Sequence, residues 1–250
     1  MIKYIAFHSF ILFLIVLTQY GCSGGSPSGR RSYQKKNFEN DATSDIDKNI
    51  NSNGDQDTNN ATTNSTSLGK LYNKLKHSVF LVYTSDGKEG KQGSGFFISK
   101  DGLAVSNYHV FEGTSKGLEI IETLDGKQFK ISEILEKSKK NDFIIFRVNI
   151  GNHVIDNPLP IVSQAPHVGD DVFAIGNPRG LESTLSKGIV SAYRRNNNLI
   201  QTTTEITHGS SGGPLINMKG EVIGITTSGL GEANLNFAVN IKSLKIYRFF

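Results

Sequence analysis

The feature that most constrains the fold of this chain is a series of short apolar runs separated by turns that contain glycine. Turns of this kind join neighbouring antiparallel strands, because glycine tolerates the left-handed backbone conformation of a tight hairpin. No helical pattern of about 10 to 15 residues alternates with the runs, so a parallel α/β sheet is not expected. The strand spacing predicts an all-β fold of two packed β-barrels, about 78–150 and 158–240. The turns are Asp86-Gly87, Asp101-Gly102, Asp125-Gly126 and Lys219-Gly220.

Both ends of this β-rich region are predicted to be helical. Apolar side chains at Leu68, Leu71, Tyr72 and Leu75 follow the spacing of one helix face. At the other end, residues 241–250 leave space for a short closing helix only. Residues 67–250 are numerous enough to bury a substantial core, and we expect them to form one unit.

The first 21 residues have the pattern of a secretory signal: Lys3, a mostly apolar run from Ile5 to Leu17, and a small residue, Gly21. The run is shorter than the roughly 20 apolar residues of a membrane-spanning helix. Cys22 follows directly and is the only cysteine in the chain, so no intrachain disulfide can form. Because its position is similar to that of the acceptor cysteine in bacterial lipoproteins, we predict that Cys22 is lipidated. The alternative is an ordinary cleaved signal that leaves an unused thiol.

Residues 22–66 are predicted to be a disordered tether. They are rich in Ser, Gly, Asn, Asp, Thr and Lys, and they have almost no apolar side chains whose burial could offset the entropy of ordering. A flexible segment of this length reaches on the order of 35–40 Å, enough to hold a folded domain clear of a membrane.

The chain has a net charge of +4, with scattered basic residues and no nucleic-acid motif. We therefore expect no nucleic-acid partner.

Residues 205–214, with the sequence EITHGSSGGP, place a hydroxyl between glycines. A serine becomes a nucleophile when a base takes its proton, and its attack on a carbonyl creates an oxyanion that N–H groups must stabilise. We predict Ser211 as this nucleophile, with an oxyanion hole formed by the N–H groups of Gly209, Ser210 and Ser211. The alternative is a Gly- and Ser-rich turn without a catalytic role.

His109 is predicted to be the general base, because imidazole is the side chain that changes charge near neutral pH. His208 is a rival three residues before Ser211, but that closeness within a tight loop favours a position on the rim. The base needs a carboxylate that orients it and stabilises its charged form. We predict Asp142 for this role, because it opens an apolar strand that can carry a carboxylate inward.

These segments resemble a known family. EITHGSSGGP is similar to the GxSGGP nucleophile signature of trypsin-like, chymotrypsin-fold serine proteases, and its flanks resemble the HtrA/Deg branch. GSGFFISKDGLAVSNYHV (93–110) is similar to the catalytic-histidine segment of that branch, VGDDVFAIGNPRGL (168–181) to its internal GNP loop, and GEVIGITTSGLGEANLNFAV (220–239) to its closing strands. The resemblance covers about residues 67–242.

The resemblance implies a chymotrypsin-like double β-barrel with the triad His109, Asp142 and Ser211, in the chain order of the chymotrypsin class. It implies an exported serine endopeptidase, periplasmic or at the cell surface, that hydrolyses unfolded or extended polypeptides. Homotrimers are common in this branch, so a homo-oligomer is a further expectation. Its members usually carry PDZ domains after the protease, whereas this sequence ends at Phe250, so we expect substrate recruitment to lie elsewhere.

The segment before the nucleophile and the later strands are expected to form the primary substrate pocket. Ile206, Ile225 and Leu235 would make it small and apolar, favouring cleavage after Val, Ile, Ala or Thr. Glu205 stands where trypsin-like enzymes place an acid that pairs with Arg or Lys, so it either points outward or awaits a cationic substrate. The predicted pocket residues are Glu205, Ile206, Ile225, Thr226, Thr227, Ser228 and Leu235.

No metal or cofactor is expected, because the chain has neither a His-Glu-x-x-His motif nor a pair of cysteines. Two alternatives to an endopeptidase remain. The first is a protease fold kept as a binding or chaperone-like module. The second is an esterase or other acyl hydrolase that uses the same residues.

Overall fold

The strands of this chain form two closed antiparallel barrels, as predicted from the sequence. The computed structural model describes residues 67–176, 183–207, 209–227 and 235–250. The predicted signal, the tether and Cys22 lie outside the described residues.

The first barrel has the strand order β1-β2-β3-β6-β5-β4. Its strands are β1 (Val79–Ser85), β2 (Gly90–Phe97), β3 (Leu103–Ser106), β4 (Ile120–Glu122), β5 (Gln128–Ser138) and β6 (Phe143–Asn149). The second barrel has the order β10-β11-β12-β9-β8-β7. Its strands are β7 (Asp171–Gly176), β8 (Thr184–Arg194), β9 (Leu199–Thr202), β10 (Pro214–Asn217), β11 (Val222–Thr227) and β12 (Asn236–Asn240).

The four turns predicted from Asp-Gly and Lys-Gly dipeptides each join two antiparallel strands that are hydrogen-bonded to each other. They connect β1 to β2, β2 to β3, β4 to β5 and β10 to β11. In each turn the glycine has a positive φ, between 78° and 95°, which an L side chain rarely adopts. The local chemistry of these pairs therefore sets where the chain reverses.

The helices are short and lie outside the barrel walls. Residues 67–75 form helix α1, whose apolar face packs against the core, and helix α2 (Tyr108–Phe111) follows β3. The predicted closing helix is present as two 3-10 turns, Ile241–Ser243 and Ile246–Phe249. Among the described residues, no helix combines the length and apolar character that crossing a bilayer requires.

Strands β2, β3 and β6 of the first barrel bury apolar residues on both faces. Phe97 and Ile144 point into the first barrel with Phe80 and Phe146, whereas their chain neighbours Phe96 and Ile145 belong to a second apolar cluster that includes the core of the other barrel. Successive side chains of a strand point to opposite faces, so burial of both faces requires a continuous apolar run such as residues 143–146. The apolar contact that joins the barrels is therefore built from one face of these strands.

The second barrel begins later than the sequence suggested. Residues 158–170 form an extended connection in which Leu159 donates its N–H to Phe97 at 2.9 Å and Val162 donates to Val222 at 3.0 Å. A single parallel bridge pairs Ile161 with Val222. The connection therefore covers the junction, and the barrel wall starts at Asp171.

Candidate active site

His109 and Asp142 meet because they follow and precede two paired strands. Ser106 at the end of β3 lies opposite Ile144 near the start of β6, so α2 and the residue before β6 emerge side by side. The His109 Nδ1 lies 2.9 and 3.0 Å from the two carboxylate oxygens of Asp142. The backbone N–H of His109 donates to the same carboxylate at 3.0 Å. With Nδ1 carrying a hydrogen, Nε2 is left as the proton acceptor that a general base needs.

The backbone of Asp142 takes the left-handed conformation, with φ of 52°. Few residues other than glycine adopt this region, and Asp is among those that tolerate it. The buried side-chain amide of Asn107 donates to the Asp142 carbonyl at 2.8 Å and holds this turn. Asn107 was not predicted as a site residue, because nothing near it in the sequence indicates a contact with Asp142.

Thr227, which was predicted as a substrate-pocket residue, belongs to the same cluster. It ends β11 in the second barrel, and its hydroxyl donates to Asp142 Oδ2 at 3.0 Å. The carboxylate therefore accepts hydrogen bonds from both barrels. This arrangement fixes the carboxylate in the plane that His109 requires and links the barrels at the site.

Ser211 lies in a loop between β9 and β10 that both barrels hold. Ser94 of β2 receives the loop from one side, donating its N–H to the Ser211 carbonyl at 2.7 Å and its hydroxyl to the Gly209 carbonyl at 2.7 Å. Thr226 of β11 holds the other side, donating its hydroxyl to the Ser210 carbonyl at 2.7 Å. The side chain of Ser211 is buried.

Gly93 lies where the loop of Ser211 meets α2. A Cβ on Gly93 would lie 2.6 Å from a methyl of Val110 and 3.1 Å from the Ser211 carbonyl oxygen. Val110 directly follows His109, and its carbonyl accepts the Thr84 hydroxyl at 2.7 Å, which secures the helix. The two segments can therefore approach closely because glycine at position 93 has no side chain.

The predicted oxyanion hole changes by one residue. The N–H of Ser210 donates to the Thr207 carbonyl at 3.0 Å, so it is used within the loop and cannot face a substrate. Gly209 has a φ of 96°, and its N–H meets no acceptor in the described part of the chain. The remaining predicted donors are the N–H groups of Gly209 and Ser211.

The described residues do not assemble the predicted primary pocket. Ile225 is 0% exposed and packs in the apolar core, and the Thr226 hydroxyl holds the loop of Ser211. Glu205 is exposed, which agrees with an outward-facing carboxylate. Ile206 is half-buried and Leu235 is 44% exposed. Ser228 and the rival base His208 lie outside the described residues.

A cavity of about 690 Å³ opens beside the His109–Asp142 pair. The loop before β6 and the β8–β9 turn form its two walls. Within the described ranges, no three His, Cys, Asp or Glu side chains gather as metal ligands would. The residues around the cavity are Tyr108, His109, Glu112, Lys139, Lys140, Asn141, Asp142, Arg195, Asn196, Asn198, Leu199, Thr227 and Val239.

Residues 93–225, more than half of the chain, match the family model described as a trypsin-like peptidase domain. This chain belongs to the trypsin-like peptidase family. Among its curated relatives, a probable serine protease do-like protein of Buchnera aphidicola is 34% identical over 187 residues, covering 68% of this chain and 38% of the relative. A probable periplasmic serine endoprotease, DegP-like, of Chlamydia pneumoniae is 38% identical over 152 residues, covering 56% of this chain and 29% of the relative.

A solved structure supports the same placement within the trypsin-like peptidases. The serine endoprotease of Yersinia pestis superposes with a TM-score of 0.63 at 29% identity, covering 72% of this chain and 65% of that chain. The names of these relatives belong to the HtrA/Deg branch that the sequence motifs resembled. The chain spans between 29% and 38% of the length of the two curated relatives.

Proposed function

We propose that this trypsin-like peptidase is a serine endopeptidase with Ser211 as nucleophile, His109 as general base and Asp142 as the orienting carboxylate. The observation that carries the proposal is the hydrogen-bonded His109–Asp142 pair, whose two residues come from the ends of neighbouring strands. The loop of Ser211 is held against the same barrel through Ser94.

The proposed chemistry is that of a Ser-His-Asp triad. His109 Nε2 takes the proton of the Ser211 hydroxyl as its oxygen attacks the peptide carbonyl, and the N–H groups of Gly209 and Ser211 stabilise the oxyanion. The imidazolium then gives its proton to the leaving amine, the C–N bond breaks, and an acyl-enzyme remains. Water attacks this ester with His109 again as base, which releases the acid and restores the serine. Asp142 stabilises the imidazolium in both steps.

The substrates we propose are unfolded or extended polypeptides, as the family resemblance implies. Export is supported by the signal pattern in residues 1–21 and by relatives whose names include the word periplasmic. Lipid anchoring through Cys22 rests on the sequence pattern alone, and a homotrimer stays a prediction from the family resemblance.

Ser211→Ala is the direct test. We expect casein hydrolysis to fall by at least about 10⁴-fold, and His109→Ala to have a similar effect, because the triad acts as a unit. A fluorophosphonate probe should label the wild type and Ser210→Ala but not Ser211→Ala, which assigns the reactive hydroxyl between neighbours. Ser211→Ala and His109→Ala should both unfold in urea at the wild-type midpoint.

Two other outcomes would contradict the proposal. If fluorophosphonate does not label the wild type, the chain is a binding module with a protease fold. If the wild type is labelled and hydrolyses a small ester but no polypeptide, it is an acyl hydrolase of another class.

A further inference from the structure

The cavity beside His109 adjoins the proposed catalytic cluster. Its lining includes His109, Asp142 and Thr227, which belong to the proposed catalytic cluster. A substrate whose carbonyl is attacked by Ser211 must contact His109, and successive residues of an extended chain are about 3.3 Å apart. Side chains within a few residues of the cleaved bond, on one side of it, can therefore reach the cavity.

The outer wall on the second barrel is a tight turn with a defined shape. Three consecutive residues, Arg195, Asn196 and Asn197, have φ values of 51°, 52° and 65°. Left-handed backbone at residues other than glycine persists only when surrounding contacts hold it. Here Asn240 provides such contacts, because its side-chain amide donates to the Asn197 carbonyl at 2.7 Å and its N–H donates to the Asn198 carbonyl at 2.9 Å. The guanidinium of Arg195 therefore extends from a fixed base.

The cavity has more positive than negative charge at its mouth. Lys139 lies 2.5 Å from Glu112, and this ammonium holds the pKa of the Glu112 carboxyl below its usual value, so the two charges cancel as a pair. Lys140 and Arg195 are exposed, and neither forms an ion pair within the described ranges. The Asp142 carboxylate is committed to His109 and Thr227. Two uncompensated cations are therefore left facing the cavity, one on each wall.

Part of the cavity lining is apolar. Leu199 and Val239 are buried residues of β9 and β12 that line it, and the half-buried ring of Tyr108 completes the surface. An aliphatic stem can pack on such a surface while a terminal charge stays near the mouth. Among the common side chains, Glu fits this combination of an apolar stem and an anionic end, with Asp as a shorter version.

We propose that this cavity is a subsite for an acidic side chain of the substrate, with its carboxylate between Lys140 and Arg195 and its stem over Leu199 and Val239. The inference rests on the proposed endopeptidase function and adds a preference for acidic sequences near the cleaved bond. Guanidinium and ammonium groups both bind carboxylates, and the planar guanidinium can form two parallel hydrogen bonds. Because the site is open to solvent, we expect a selectivity of about tenfold.

Quenched fluorescent peptides test the subsite with the full-length protein. Each peptide shares one cleavable core and carries Glu, Gln or Lys at one of the four positions on either side of the cleaved bond. We expect kcat/KM for Glu to exceed that for Gln by about tenfold at one or two positions, all on the same side of the bond. The ratio should fall as salt is raised, because exposed charges are screened.

Charge reversal tests the two named cations. In Lys140→Glu/Arg195→Glu, the Glu-to-Gln ratio should fall below one and Lys should become preferred at the same positions. The matched control is Lys88→Glu/Lys219→Glu, which changes the net charge equally at two exposed residues outside the cavity and should keep the wild-type ratio. If the double reversal does not fold, the single variants Lys140→Gln and Arg195→Gln should each reduce the ratio by about threefold.

The outcomes separate the two proposals. Equal kcat/KM for the Glu, Gln and Lys peptides at every position, with normal fluorophosphonate labelling of Ser211, would overturn the acidic subsite and leave the endopeptidase function intact. A ratio that changes as much in the Lys88/Lys219 control as in the Lys140/Arg195 variant would also overturn the subsite. Absence of both labelling and cleavage would overturn the endopeptidase function, and the subsite with it.

Discussion

At the scale of single residues, the carboxylate of Asp142 depends on donors from both barrels. His109 contributes a backbone and a ring N–H, and Thr227 contributes a hydroxyl from the other barrel at 3.0 Å. Asn107 holds the backbone of Asp142 in its left-handed conformation. Asp142 is therefore oriented by four contacts from three residues, and the side-chain contacts of Thr227 and Asn107 can be removed by substitution.

Thr227→Val should lower kcat for peptide hydrolysis by about 10- to 100-fold with little change in KM. A hydrogen bond to a charged group contributes about 1.5–3 kcal/mol, and this one acts on Asp142 and not on the substrate. Thr227→Ser retains the hydroxyl and should stay within about threefold of the wild type. Steady-state kinetics on one peptide, with urea unfolding as a check on folding, measure both effects. Equal loss in the two variants would show that keeping the hydroxyl does not preserve activity, which would contradict the role given to this hydrogen bond.

At the scale of elements, the loop of Ser211 depends on a glycine, Gly212, that leaves space for a neighbouring strand. Gly212 has a φ of 89°, and a Cβ there would lie 2.1 Å from the Ser94 carbonyl oxygen and 2.4 Å from the Ser106 hydroxyl. Its N–H donates to the Thr226 carbonyl at 2.8 Å, so the loop cannot move away from β2 without losing a bond to β11. The glycine therefore lets one loop bind two barrels at once.

Gly212→Ala should reduce the free energy of unfolding by about 2–5 kcal/mol, because backbone strain and overpacking add at this position. Gly113→Ala is a matched control, since Gly113 has a φ of 81° but no heavy atom within 4 Å of its Cβ position. It should cost only about 1–2 kcal/mol from backbone strain. Urea unfolding at pH 7 measures both values. A similar loss in the two variants would show that the contact with Ser94 and Ser106 is easily relieved.

At the scale of the whole molecule, the candidate site exists only where two barrels pack together. The apolar cluster that includes the core of the second barrel also contains Phe96, Val105 and Ile145 of the first. The Thr227 hydroxyl and the Ser94 contacts then add polar links across the same junction. We infer that neither barrel alone can orient Ser211 and Asp142.

Where the molecule resides is a separate prediction that concerns Cys22. In a Gram-negative host, Cys22→Ser should move the protein from the membrane fraction to the soluble exported fraction, because it removes the only thiol that a lipid could modify. Specific activity in casein hydrolysis should not change. Fractionation with immunoblotting measures the shift, and metabolic labelling with palmitate is the direct check. A wild type that incorporates no palmitate would rule out the anchor.

The positions of chain reversal and the identities of the triad candidates were accessible from the sequence, because both depend on short-range patterns. Gly87 and Gly126 have positive φ because they lie in tight turns, which are local structures. The segments around His109 and Ser211 each carry a continuous motif. The two closed barrels also followed, since antiparallel hairpins repeat along the chain.

The partners of the polar groups were decided by the tertiary structure alone. Thr227 and Ile225 occupy the same short strand and were both predicted to line a pocket, yet one donates to Asp142 across 85 positions of sequence and the other is buried in the core. The cavity between Lys140 and Arg195 likewise joins two distant turns. A hydrogen bond or an ion pair depends on distances of a few ångströms, and those distances exist only after apolar burial has brought the two barrels together.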